Sequence, residues 1–116
     1  MTFWLIVLAG ALGAAMRYVV DGALRAKWPT TLPAATLTVN VLGSAVLGAV
    51  MGAGPHTDWA AIAGMGWCGG FTTFSTHIVE TLHLASHTSR AKALANLFLM
   101  LVACTFAAGL LFWLIA

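Results

Sequence analysis

Four long apolar stretches, at about residues 3–24, 33–54, 59–84 and 92–115, leave this chain almost nowhere to build a water-facing surface. Each approximates or exceeds the roughly 20 residues of helix that span a hydrocarbon core. Between them stand short polar or Pro-containing connections: Arg25-Ala26-Lys27-Trp28-Pro29, Gly54-Pro55-His56-Thr57-Asp58 and Ser86-His87-Thr88-Ser89-Arg90. Only eight Asp, Glu, Lys and Arg side chains occur in 116 residues, of which 61% are hydrophobic. Eight charges cannot cover a soluble domain of this size, so a lipid-embedded bundle is expected instead. Open sheet edges are forbidden in lipid, and the chain lacks the period-2 alternation of a barrel. The expected fold is all-α: one membrane domain over 1–116, four transmembrane helices, sequential neighbours antiparallel, and no soluble module.

Several function classes fall away on composition. A net charge of +2, without a Lys/Arg cluster among aromatics, argues against nucleic acid as a partner. Cys68 and Cys104 lie in different apolar segments without a CxxC spacing, and read as small apolar filler. Residues 3–20 lack the basic leader and cleavage pattern of a signal peptide, and read as a mature helix. A Walker loop, a nucleophile paired with a base, and a zinc-spaced His/Cys set are all missing from the sequence, so an enzyme is not expected.

Charge placement carries more than charge number. Arg25 and Lys27 mark the first connection and Arg90 and Lys92 the third, whereas the second connection and both ends carry neither Lys nor Arg. The positive-inside rule then puts the first and third connections in the cytoplasm and both termini outside the cell. Gly48 and Gly52 form a GxxxG pair, as do Gly66 and Gly70, which lets helix backbones approach closely. Trp4, Trp28, Trp59 and Trp113 fall near span ends, as an interfacial belt would place them.

The third segment is the one unsuited to a continuous helix. Residues 66–80 read GWCGGFTTFSTHIVE. A double glycine followed by hydroxyl residues weakens a helix, because Gly is conformationally free and Thr or Ser can bond nearby backbone. An interruption is expected near Gly69–Thr73. Such backbone persists at membrane depth only inside protein or along a cavity, where freed carbonyls can meet a cation. The residues alone leave open a plainer alternative: a Gly-rich packing notch whose hydroxyls bond their own helix.

The run GWCGGFTTFST resembles the signature of the CrcB/Fluc fluoride channels. The similarity extends to GALGAAMRY around Arg17 and TLTVNVLGSAVLG around Asn40, in the same order and over essentially the whole chain. The resemblance implies a passive fluoride-specific channel of the plasma membrane that relieves fluoride toxicity. It implies two subunits in opposite orientations, with fluoride pores along their interface. A structural sodium ion would sit at the centre, held by backbone carbonyls of the third helices; by motif position the ligands here are Gly69 and Thr72. Asn40, Thr73, Ser75 and Thr76 would supply donors along the anion path, and Phe74 a positive ring edge. Arg17 would serve a vestibule, against the alternative that it snorkels to the headgroups and bonds Asp21. Glu80 could handle ions or pair structurally. Asn40 could equally be interhelical glue.

Two departures fall on the ion route. The family motif ends in a second Phe where this chain has His77, which could donate to an anion, close the path or pack inertly. The fourth helix tends in the family to bear a polar stripe, where alignment here places Met100, Cys104 and Ala108. A homodimer of oppositely oriented subunits also needs little charge bias, and this chain has four basic residues on one side and none on the other. The expected assembly is therefore a heterodimer with a second CrcB-like subunit in opposite orientation. Rival readings are a non-conducting scaffold subunit and a proton-coupled multidrug exporter. The exporter needs an embedded carboxylate, which the stretch FWLIVLAGALGAAMRYVV of the first helix lacks.

Overall fold

The computed structural model describes residues 1–28 and 33–116; Pro29, expected in the first connection, lies outside them. The all-α, four-span architecture is borne out. Helices α1 (Thr2–Lys27), α2 (Ala34–Ala53) and α6 (Arg90–Ile115) are each long and apolar enough to cross a membrane. The third span is assembled from pieces: α3 (Asp58–Ala61), a π-helical stretch Ile62–Cys68, α4 (Gly69–Phe71) and α5 (Ser75–His87). Helix α1 packs against the first half of this span, and α2 and α5 pack against α6.

Local chemistry explains most boundaries. Helix α1 runs on through Arg25 and Lys27, whose charges suit the partial negative end of a helix. Ser89 starts α6, its Oγ accepting the Lys92 N–H at 3.0 Å. Thr57 starts α3 in the same way, accepting from Ala60 N–H at 3.3 Å. Gly54, at φ +153, makes the turn that precedes it.

Small residues bring the backbones together. A Cβ added at Gly48 would strike the Ala108 carbonyl of α6, and one at Gly70 the Gly10 carbonyl of α1. Gly13 is likewise closed by the Trp67 carbonyl, and Gly52 by that of Phe112. Both GxxxG pairs therefore sit at interhelical contacts. The outer surface is apolar: Leu12, Val19, Phe98, Leu101 and Phe106 are all exposed, as side chains facing lipid or another subunit would be.

Candidate functional site

The third span is interrupted at Thr72–Phe74. Thr72 leaves the helix at φ −82, ψ 161, while its own N–H and Oγ1 both still reach the Cys68 carbonyl, at 3.0 and 2.9 Å. Thr73 is then held from α2. Its N–H donates to Asn40 Oδ1 and its carbonyl accepts from Asn40 Nδ2, both at 2.8 Å. The buried amide of Asn40 thus stands in for a missing stretch of backbone. In a continuous helix the Thr73 N–H would go to the Gly69 carbonyl. Diverting it to Asn40 leaves that carbonyl without its helical donor, at a glycine exposed on the subunit surface. Thr73 Oγ1 accepts the Thr76 N–H at 3.2 Å, which caps the start of α5, and its hydroxyl donates to Thr76 Oγ1 at 3.0 Å.

The interruption lies slightly later than the Gly69–Thr73 expected from the sequence. Gly69 is helical, at φ −61 and ψ −39, and its N–H reaches back to the Gly64 carbonyl. The double glycine serves close approach to α1 rather than the bend, and the hydroxyl residues make the bend. The π-helical stretch ahead of it has no sequence signature; such widened turns recur at functional sites.

Arg17 comes to the same place from α1. Its guanidinium donates to the Thr72 carbonyl at 2.8 Å, so it neither snorkels away nor bonds Asp21. Asp21 instead accepts from Arg25 Nε at 2.7 Å. Arg25 also reaches Glu80 Oε1 at 2.6 Å and Thr36 Oγ1 at 3.1 Å, while the Thr36 hydroxyl donates to Glu80 at 2.6 Å. Glu80 is therefore structurally paired, apart from the interruption.

Two cavities flank the bend. One, of about 140 Å³, lies between α1 and α5 and is bordered by Ala14, Arg17, Tyr18, Asp21, Thr73 and Thr76. The other, of about 320 Å³, opens toward α2 and α6, with Asn40, Gly69, Thr72, Thr73, Phe74 and His77 on its wall together with Met100 and Cys104. Thr73 borders both. Phe74 is 77% exposed and Ser75 is also exposed, so these motif side chains project from the surface of the chain. His77 is buried and its Nδ1 has no hydrogen-bond partner among the described residues.

Sequence reasoning missed three supports of this site. Asn96, buried on α6, donates to Thr81 Oγ1 at 2.8 Å, and that hydroxyl donates to the His77 carbonyl at 2.7 Å. Asn96 stands four residues before Met100, at the head of the very stripe Met100, Cys104, Ala108 that was read as degraded. Met100 Sδ in turn accepts from Asn40 Nδ2 at 3.5 Å. The Trp67 indole, stacked on Phe71, donates to Met16 Sδ at 3.3 Å.

A four-span apolar bundle with an interrupted third span, its bend held by an amide and a guanidinium, has the architecture of a membrane protein whose irregular backbone lies inside the bundle or along a cavity. Comparison with known proteins makes this specific. Residues 4–112 match the family described as "CrcB-like protein, Camphor Resistance (CrcB)". A protein of Nocardia farcinica (strain IFM 10152) named "Fluoride-specific ion channel FluC 1" is 43% identical over 99 residues, 85% of this chain and 70% of that protein. Its namesake in Leifsonia xyli subsp. xyli (strain CTCB07) is 44% identical over 114 residues, 94% of this chain and 82% of the relative. "Fluoride-specific ion channel FluC 2" of Mycobacterium bovis (strain ATCC BAA-935 / AF2122/97) is 38% identical over 97 residues, 84% of this chain and 77% of the relative. The chain belongs to the CrcB (FluC) family, as the three motifs implied.

Proposed function

We propose that this chain is one subunit of a plasma-membrane fluoride channel that exports fluoride passively, paired with a related subunit in opposite orientation. The observation that carries the reading is the interruption at Thr72–Phe74, with Phe74 and Ser75 exposed beside it where a second subunit would pack. Fluoride is small and strongly hydrated, so a path for it must replace water with hydrogen-bond donors. Arg17 gives the α1 cavity positive charge, and the hydroxyls of Thr73 and Thr76 line it. From there Thr73 leads to the second cavity, where the Phe74 ring and His77 stand.

A central sodium ion fits the donor set in part. The Gly69 carbonyl is exposed and released from helical bonding, and such oxygens suit a hard alkali cation. The Thr72 carbonyl has a second lone pair beside the one that meets Arg17, so it can serve as the other ligand. When bound, the ion supplies fixed positive charge along the anion route. The four-to-zero basic bias supports termini outside the cell and a partner of opposite bias.

The test is fluoride efflux from liposomes. This chain alone should be slow, and reconstitution with a related subunit of opposite charge bias should restore rapid flux. Full-rate efflux by the single chain, with both topologies found in the membrane, would remove the heterodimer. No flux from any pairing would remove the channel. A second reading, a non-conducting scaffold subunit, is favoured by Met100 and Cys104 bordering the cavity at positions where the family tends to bear a polar stripe. Under that reading, Phe74→Ala in this chain alone leaves the flux of the pair unchanged.

A further inference from the structure

We infer that Met100, Cys104 and His77 form a binding site for a soft monovalent cation of the Cu(I)/Ag(I) class. All three line the cavity of about 320 Å³ between α2, α6 and the third span; Cys68 also borders it, which makes Cys68 the thiol that the test must tell from Cys104. The Cys104 thiol lies 3.7 Å from Met100 Sδ. An ion about 2.3 Å from each sulfur would see that 3.7 Å separation as an angle of about 107°. Two sulfurs one helical turn apart therefore already stand at a bite suited to trigonal or tetrahedral coordination. His77 supplies the independent sign of a ligand. It is only 5% exposed, and its Nδ1 is buried without a partner among the described residues. A buried ring nitrogen left unpaired is costly unless something binds it.

The donor chemistry selects the ion. Thiolate and thioether sulfur favour Cu(I) and ions like it, whereas carboxylate and carbonyl oxygen favour hard cations. The cavity wall holds neither Asp nor Glu. Among the described residues no three His, Cys, Asp or Glu side chains converge, so zinc has no conventional set here. Binding a monovalent ion to the Cys104 thiolate releases one proton to solvent and leaves a neutral pair, which a low-dielectric site tolerates better than a net charge. Asn40 Nδ2, 3.5 Å from Met100 Sδ, would orient the thioether.

The test titrates purified full-length chain in detergent with Ag⁺, chosen because it needs no reductant, following the thiolate-to-metal absorption band and the heat of binding. One tight equivalent is expected. Cys104→Ser, Met100→Leu and His77→Phe should each weaken it at least tenfold, and Cys68→Ser should match the parent. Unchanged affinity in Cys104→Ser, an equal loss in Cys68→Ser, or no thiolate band would overturn the site. Should a Cys104 variant misfold, alkylation of the parent mapped by mass spectrometry replaces it: one equivalent of Ag⁺ should shield Cys104 and spare Cys68, and equal shielding would overturn the proposal. The readout is binding, so this site and the channel reading stand or fall separately.

Discussion

Replacing Asn40 with Leu tests the interruption most directly. Leucine nearly preserves the side-chain volume, so little cavity forms and the loss is chiefly of hydrogen bonding. Three contacts disappear: Thr73 N–H to Oδ1 and Nδ2 to the Thr73 carbonyl, both at 2.8 Å, and the weaker Nδ2 to Met100 Sδ at 3.5 Å. A buried backbone group left unpaired costs about 1–3 kcal/mol; Thr73 is half-buried and borders both cavities, so water relieves part of the loss and the pair together costs roughly 2–4 kcal/mol. That is a large share of a total stability on the order of 5–15 kcal/mol. The chain has one way to limit the loss: Thr73 N–H can return to the Gly69 carbonyl and rewind the bend toward continuous helix. Both outcomes make the same functional prediction: rewinding closes the Gly69 carbonyl, and destabilisation without rewinding releases Thr73 from its place beside the cavities. Unfolding in graded sodium dodecyl sulfate gives the stability, and liposomal fluoride efflux by the paired channel gives the function. The variant should lose at least 2 kcal/mol or show greater helicity by circular dichroism, with flux lost in either case. A variant within 0.5 kcal/mol of the parent, equally helical and fully conducting, would refute the claim that Asn40 holds the interruption open.

Other contacts make independent predictions. Arg17→Gln removes a charged donor 2.8 Å from the Thr72 carbonyl and should cost about 1.5–3 kcal/mol in the same assay; no change would mean that the guanidinium does not hold the bend. Gly48→Ala should destabilise by about 1–3 kcal/mol, because its Cβ meets the Ala108 carbonyl of α6. Gly22→Ala, with nothing within 4 Å, should be neutral or stabilise by up to about 1 kcal/mol through helix propensity. Arg25→Met leaves Glu80 with only the Thr36 hydroxyl at Oε1, its Oε2 already lacking a partner among the described residues. The cost should be about 1–3 kcal/mol, below that of a fully buried pair because Arg25 is 46% exposed. Adding Glu80→Gln should recover much of it, and a double variant as unstable as the sum of both singles would count against the pairing.

The fold was legible because lipid permits few solutions. Apolar length alone set the four spans, and Gly48, Gly52, Gly66 and Gly70 marked where backbones touch. Limits of elements were less legible. The Arg25 and Lys27 positions read as a connection, yet α1 continues through them to Lys27. The π-helical stretch was invisible, because Ile62–Cys68 contains only residues that an ordinary helix also uses.

At the site, residue type revealed that the third span must fail but not which atoms would replace the lost bonds. Hydroxyl residues after a double glycine point to a bend without saying whether the glycines or the threonines make it. The structure assigns approach to Gly70 and bending to Thr72 and Thr73. What fixes the bend then comes from other helices: Asn40 on α2 and Arg17 on α1, each isolated in an apolar run. A lone amide or guanidinium at membrane depth must find a partner, and a broken helix must find donors and acceptors. Read together rather than one at a time, those two requirements pair Asn40 and Arg17 with the Thr72–Thr73 peptide groups. Asn96 and Thr81 follow the same logic one layer deeper, since a buried amide four residues from Met100 also needs a hydroxyl to meet. Unpaired polar groups in separate apolar segments are thus best read as halves of contacts, and matching the halves is the step from span count to mechanism.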